Sequence, residues 1–88
     1  MANIPNLDCM EPDDLWALFE TSRTRKAARE MFPDRPTGYV SATINIAHYA
    51  CNKSVAMKLR AAGDIATAEV YETICQRIYA MLPEWARW

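Results

Sequence analysis

The chain has 88 residues, a formal net charge of −1, and 51% apolar residues, nine residues being aromatic. That length limits it to one domain of marginal stability, residues 1–88, and its near-neutral charge argues against a polycation that coats nucleic acid. No run approaches the roughly 20 apolar residues that span a bilayer, the N-terminus does not read as a secretory leader, and three cysteines without a CxxC pair suit a reducing, cytoplasmic setting without membrane attachment.

Residues 1–8 are polar, contain Pro5, and read as a flexible arm. Asp8 and Glu11 form a D-x-x-E pair, the signature of a capped helix start. Pro12 suits a first helical turn, and Asp13 and Asp14 are favourable on its dipole. A first helix is therefore predicted over about 10–31, with Leu15, Trp16, Leu18 and Phe19 as its apolar start. The stretch Glu20–Lys26 loses the pattern, and Ala27, Ala28, Met31 and Phe32 restore it. Either one helix runs through, or the chain bends or breaks near residues 22–24, the second being preferred. Pro33 and Pro36 then stop it.

Thr37 is a plausible cap for a second helix over about 38–62. Gly63 supplies the left-handed residue that ends it, and Asp64 at once caps a third helix over about 64–82. Pro83 stops that helix and leaves an aromatic tail, 83–88, with Trp85 and Trp88. Two helices pivoting at Gly63 should place facing residues at positions summing to about 126. The stripe Ile44, Ala47, Cys51, Val55, Leu59, Ala62 and the stripe Ile65, Ala68, Tyr71, Cys75, Ile78, Leu82 meet that condition pair by pair. One flank of this hairpin is polar: Asn45, His48, Asn52 and Arg60 with Glu69, Glu72, Gln76 and Tyr79. The other is mostly apolar: Thr43, Ile46, Ala50 and Met57 with Val70, Ile74, Arg77 and Met81. The first helix is its expected cover. The fold class is thus all-α, a small bundle built on a long antiparallel hairpin with an N-terminal helix packed across it.

Charge is segmented along the chain. Residues 1–20 carry five acids and no base, 21–36 five bases and two acids, 37–62 three bases and no acid, and 63–88 four acids and two bases. Such blocks point to complementarity within or between chains.

The chemical inventory is thin. His48 and Cys51 form H-x-x-C, with Cys75 expected level with Cys51, but a zinc site needs a fourth ligand and none is evident. A Cys51–Cys75 disulfide needs a close helix approach and an oxidising compartment. Small buried thiols are the simpler reading, and no cofactor or metal is expected. Asp13 and Asp14 are adjacent and diverge on a helix, so they are no acid/base pair, and no nucleophile motif or phosphate-cradling glycine loop is present. The basic run Arg23, Arg25, Lys26, Arg29 suits either phosphate contact or a solvated helix face. Trp85 suits closure of the open hairpin end near Tyr39–Val40, and Trp88 a partner contact, tryptophan being enriched at binding hot spots.

The stretch Ala62–Glu72 resembles the middle of a tetratricopeptide-type hairpin, with Gly63 at the turn, Ala68 five residues on, and then Tyr71. It departs from that pattern in three ways: Tyr71 comes one residue early, the preceding helix is longer, and no second repeat follows. The resemblance implies a packing style and no peptide-binding groove. Separately, the pattern running from Gly38-Tyr39 through Tyr71-Glu72 and Ile78-Tyr79 to Leu82-Pro83 and Trp88 resembles small marine-bacteriophage proteins of unassigned role. It covers about half the chain and brings no functional residue with it.

The expected function is a non-enzymatic protein–protein interaction or assembly module. Its expected partner is a second copy, as a homodimer, or another protein. The candidate interface is Ile46, Ala50, Met57, Val70, Ile74, Met81, Trp85 and Trp88. The alternative is a small nucleic-acid-binding accessory protein using Arg23, Arg25, Lys26 and Arg29.

Overall fold

A computed structural model describes residues 4–33 and 40–88, the side chains of Arg25, Ala28 and Val40 excepted. Four helices follow one another: α1 (Pro12–Thr21), α2 (Arg25–Met31), α3 (Val40–Ala61) and α4 (Ile65–Met81). Short 3-10 turns lie at Leu7–Cys9 and Glu84–Ala86, and no strand occurs among the described residues. The protein is an all-α bundle in which α3 and α4 form a long hairpin and α1 packs across α3. The expected cap Thr37, with Gly38, Tyr39 and Pro36, lies outside the described residues.

The hairpin turn follows from two residues. Gly63 has φ +87°, the left-handed region that side chains disfavour. Its N–H donates to the Arg60 carbonyl at 3.1 Å, and the Asp64 N–H donates to the Leu59 carbonyl at 3.0 Å. This pair of bonds is the Schellman closure, which satisfies carbonyls that the helix end leaves open. The Asp64 carboxylate then accepts from the Thr67 N–H at 3.3 Å and caps α4. One helix ends and the next begins with no residue between those two roles.

The N-terminal helix is broken, as the loss of pattern suggested. Ser22 caps the C-terminus of α1; its N–H and its buried hydroxyl both donate to the Leu18 carbonyl. Thr24 starts α2 by accepting from the Ala27 N–H at 3.0 Å. Hydroxyl side chains that bond locally compete with the helical ladder, which explains a break over Thr21–Thr24.

Three expectations need correction. Asp8 does not cap α1: the N-cap is Glu11, with no side-chain cap bond and Pro12 in the first turn. Asp8 lies instead within the 3-10 turn that Asn6 caps, and its carboxylate is drawn to other partners. Nor do residues 4–8 form a loose arm, because Leu7 is fully buried in the core.

The third correction concerns α3. Of the expected stripe Ile44, Ala47, Cys51, Val55, Leu59, Ala62, Ala47 alone is buried; Ile44 is 45% exposed, Ala62 is exposed and the other three are half-buried. Ala42, Thr43, Ile46, Ala47, Tyr49, Ala50, Ser54 and Ala56 are buried. An arc that wide arises because α3 is covered from two directions, by α4 and by the N-terminal segment with α1. It is lined mostly by small residues, which let neighbouring helices approach closely. On α4 the expected stripe holds from Ala68 to Leu82, with Ala68, Cys75 and Leu82 buried and Tyr71 and Ile78 half-buried, while Ile65 at the tip is exposed. The core gathers Leu7, Leu15, Met31, Phe32, Ile46, Tyr49, Cys75, Leu82 and Ala86 toward the end of the hairpin away from Gly63. From Arg60 to Thr67 every residue is exposed.

Candidate interaction surfaces

The apolar flank expected on the hairpin splits in two. Ile46 and Ala50, on α3, are fully buried within the chain and present no surface to a partner. Met57 and Ile74 are half-buried. Val70 is 58% exposed and Met81 66% exposed, both on the side of α4 away from its buried stripe. Trp85 is 36% exposed and meets the Phe32 ring edge-on at 5.3 Å. The first helix therefore covers the α3 half of the flank and leaves the α4 half open. One helix about 15 Å long cannot roof both members of a hairpin twice its length.

Trp88 folds back onto its own chain. Its indole N–H donates to Asp8 Oδ2 at 3.1 Å. Its ring stands edge-on to Tyr49 at 4.6 Å and to Tyr79 at 4.9 Å between centroids. The Tyr79 hydroxyl donates to the Trp88 main-chain oxygen at 2.9 Å, and the Tyr49 hydroxyl donates to Asp8 Oδ1 at 2.8 Å. Lys53 Nζ lies 3.8 Å from the same carboxylate oxygen. Burial first, and then the bond to Asp8, hold the Tyr49 phenol well above the ordinary value of 10.0. This clasp joins the first turn, both hairpin helices and the last residues of the sequence. Sequence reasoning missed it, because Asp8 already had a local role in a D-x-x-E pair and nothing in the spacing links positions 8, 49, 79 and 88.

The charge blocks prove partly complementary within the chain. Three ion pairs join cations of α3 to acidic neighbours. They are Lys53 with Asp8 and Lys58 with Asp13, both at 3.8 Å, and Arg60 with Glu72 at 2.8 Å. The last is two-pronged: Arg60 Nε and Nη2 donate to the two Glu72 oxygens at 2.9 and 2.8 Å. That hydrogen bonding holds the Glu72 carboxyl below its ordinary value and raises Arg60. It also places Arg60 and Glu72 together on the flank expected to be polar. Lys58 also lies 6.0 Å from the Trp16 ring centre, beside a broadly open hollow of about 320 Å³ lined by Asp13, Trp16, Ala17, Glu20 and Lys58. A second open hollow of about 350 Å³ lies between α1 and α2, bounded by Leu18, Thr21, Ser22, Ala27, Glu30 and Met31.

In the basic run, the Arg23 guanidinium lies 5.2 Å from the Phe19 ring centre, and Lys26 and Arg29 are exposed on α2. The Arg25 side chain lies outside the described residues. His48 is exposed, Cys51 half-buried and Cys75 buried, and all three cysteines are free thiols. The Cys75 thiol donates to the Tyr49 carbonyl at 3.7 Å, and burial pushes its pKa from 9.0 to about 11. Among the described residues no group of three or more His, Cys, Asp and Glu side chains is placed to hold a metal. No helix among them is long and apolar enough to cross a membrane.

No family model matches the chain, and no curated protein or solved structure is detectably similar to it. The two resemblances drawn above therefore rest on the residues quoted for them.

Proposed function

We propose that the protein is a non-catalytic interaction or assembly module of the cytoplasm that self-associates through the outer side of α4. The observation that carries this reading is the line Val70, Ile74, Met81, Trp85, with Val70 and Met81 the most open of the large apolar residues among those described. Helical spacing puts Val70, Ile74 and Met81 on one side. Open apolar residues aligned on one helix side suit a docked helix better than scattered ones do. Sedimentation velocity from micromolar to millimolar concentration tests it. The expected result is a dimer that the double substitution Val70→Glu with Met81→Glu disperses; a chain that stays monomeric throughout, or a dimer indifferent to both changes, overturns it.

A second reading is favoured by the exposure of Lys26 and Arg29 on α2 while the described ion pairs engage Lys53, Lys58 and Arg60. On that reading Arg23, Arg25, Lys26 and Arg29 contact nucleic-acid phosphates. Four such contacts predict that log K falls against log salt with a slope of about −3 to −4. A gel-shift salt series decides it, and no binding at low salt eliminates it.

A further inference from the structure

The Pro83–Trp88 segment lies across the body as a strap, and its joint to α4 is short. Met81 is the last helical residue, and Leu82 and Pro83 are extended, with ψ of 139° and 152°. Rotation at those two residues redirects everything beyond them. Most of what the described strap grips belongs to other elements: Asp8 from the first turn, Tyr49 from α3 and Phe32 after α2. The helix that carries the strap contributes Tyr79 and the Ala80 carbonyl, which accepts from Arg87 Nη2 at 3.3 Å. Ala86, within the strap, is fully buried. The seat formed by Asp8, Tyr49 and Tyr79 is therefore complementary to one known six-residue peptide, Pro83–Trp88 itself.

We propose that two copies of the chain associate by exchanging these straps, each Trp88 seating between Asp8, Tyr49 and Tyr79 of the other copy. This deepens the self-association reading and rests on it. The strap makes the same contacts in the single chain and in the exchanged pair, so they cancel in the comparison. What the pair gains is new surface around the crossing joints, where Met81 stands open in the single chain. Opposing it is the lost freedom of two molecules. Exchange is accordingly concentration-dependent, and it is slow to the extent that the strap must first release.

The test is sedimentation equilibrium on the full chain, on Trp88→Ala, on Asp8→Ala, and on an equimolar mixture of the two variants, with circular dichroism to check the fold. The expected result is a wild-type dimer that each variant alone keeps at about the same strength, because either substitution removes the same contact from the single chain and from the exchanged pair. The mixture should associate on the order of tenfold more tightly than either variant alone, because each mixed pair restores one intact Trp88–Asp8 seat that neither variant has as a single chain. A mixture no tighter than either variant overturns exchange. Self-association through another surface then stands if the wild-type chain is still dimeric. A wild-type chain that is monomeric throughout overturns both. If either variant loses its helical signal, a Gly-Ser insertion after Pro83 takes its place, leaving strap and seat intact. A longer joint lets the strap close on its own chain, so the dimer should weaken while the fold is kept, and an unchanged dimer overturns exchange.

Discussion

Replacing Gly63 separates two explanations for a glycine at the hairpin turn. A methyl group built on Gly63 meets nothing within 4 Å, so space is not the constraint. The constraint is φ at +87°, where an L-residue carries a strain of about 1–2 kcal/mol. Alanine also narrows the unfolded ensemble, which offsets about 0.4–1 kcal/mol of that strain. Gly63→Ala should therefore destabilise the chain by about 1 kcal/mol, lowering Tm by about 4–8 °C for a domain of this size. Gly63→Asn is the discriminating variant. Asparagine is larger than alanine but tolerates the left-handed region better, so it should cost less. Urea denaturation followed at 222 nm, with equal m-values across the three proteins, measures both differences. If asparagine proves worse than alanine, or alanine is neutral, backbone strain is not what selects glycine at this turn.

Four further outcomes follow from the clasp, the α1–α3 contact and the thiols. Tyr49→Phe removes the hydroxyl that donates to Asp8 at 2.8 Å; because the Asp8 side chain is half exposed and rehydrates, the expected loss is about 1 kcal/mol by urea denaturation, and a neutral result would remove the clasp from the forces holding the N-terminal turn. Ser54→Ala deletes the buried hydroxyl that ties α3 to the Pro12 carbonyl at 2.8 Å, which should cost about 0.5–1.5 kcal/mol and raise amide exchange in α1 more than in α4. The thiols should react with a disulfide reagent in the order of their exposure, Cys9 first, Cys51 second and Cys75 last; Cys75 reacting as fast as Cys9 would contradict its burial. Cys75 also sets a pH dependence. Its thiol is raised from 9.0 to about 11, so the folded state favours the neutral form; stability from this group is complete below pH 9 and is lost, by no more than about 3 kcal/mol, as pH rises through 11. Tyr49, raised above 10.0, acts in the same direction at higher pH, and stability that grows with pH between 9 and 11 would refute both.

Much of the architecture was legible because single residues punctuate it. Gly63 and Asp64 have only one sensible arrangement next to one another, and Pro12 and Pro83 bracket helices in the way their missing N–H requires. The α4 stripe was legible because that helix buries one side. On α3 the same reasoning failed. Alanines at 42, 50 and 56, with Thr43 and Ser54, extend the buried arc beyond Ala47 and make it too wide to stand out against the equally apolar Ile44, Cys51 and Val55. A helix packed from two directions has no single stripe to find. Asp8 failed differently, since a short-range pattern claimed a side chain that long-range partners hold. The open residues of α4 were visible as an apolar flank, but only the position of α1 shows that Val70 and Met81 stay open while Ile46 and Ala50 do not.

The hairpin tip bears on how far the chain tolerates foreign sequence. With every residue from Arg60 to Thr67 exposed, that stretch is held by its own turn geometry and by little else. A peptide tag or fluorophore-bearing loop spliced between Gly63 and Asp64, with both residues kept, adds only a slowly growing loop-closure entropy. The same splice at the opposite end meets Leu82, Phe32 and the clasp. The molecule thus offers one end for engineering and one end that must be left alone.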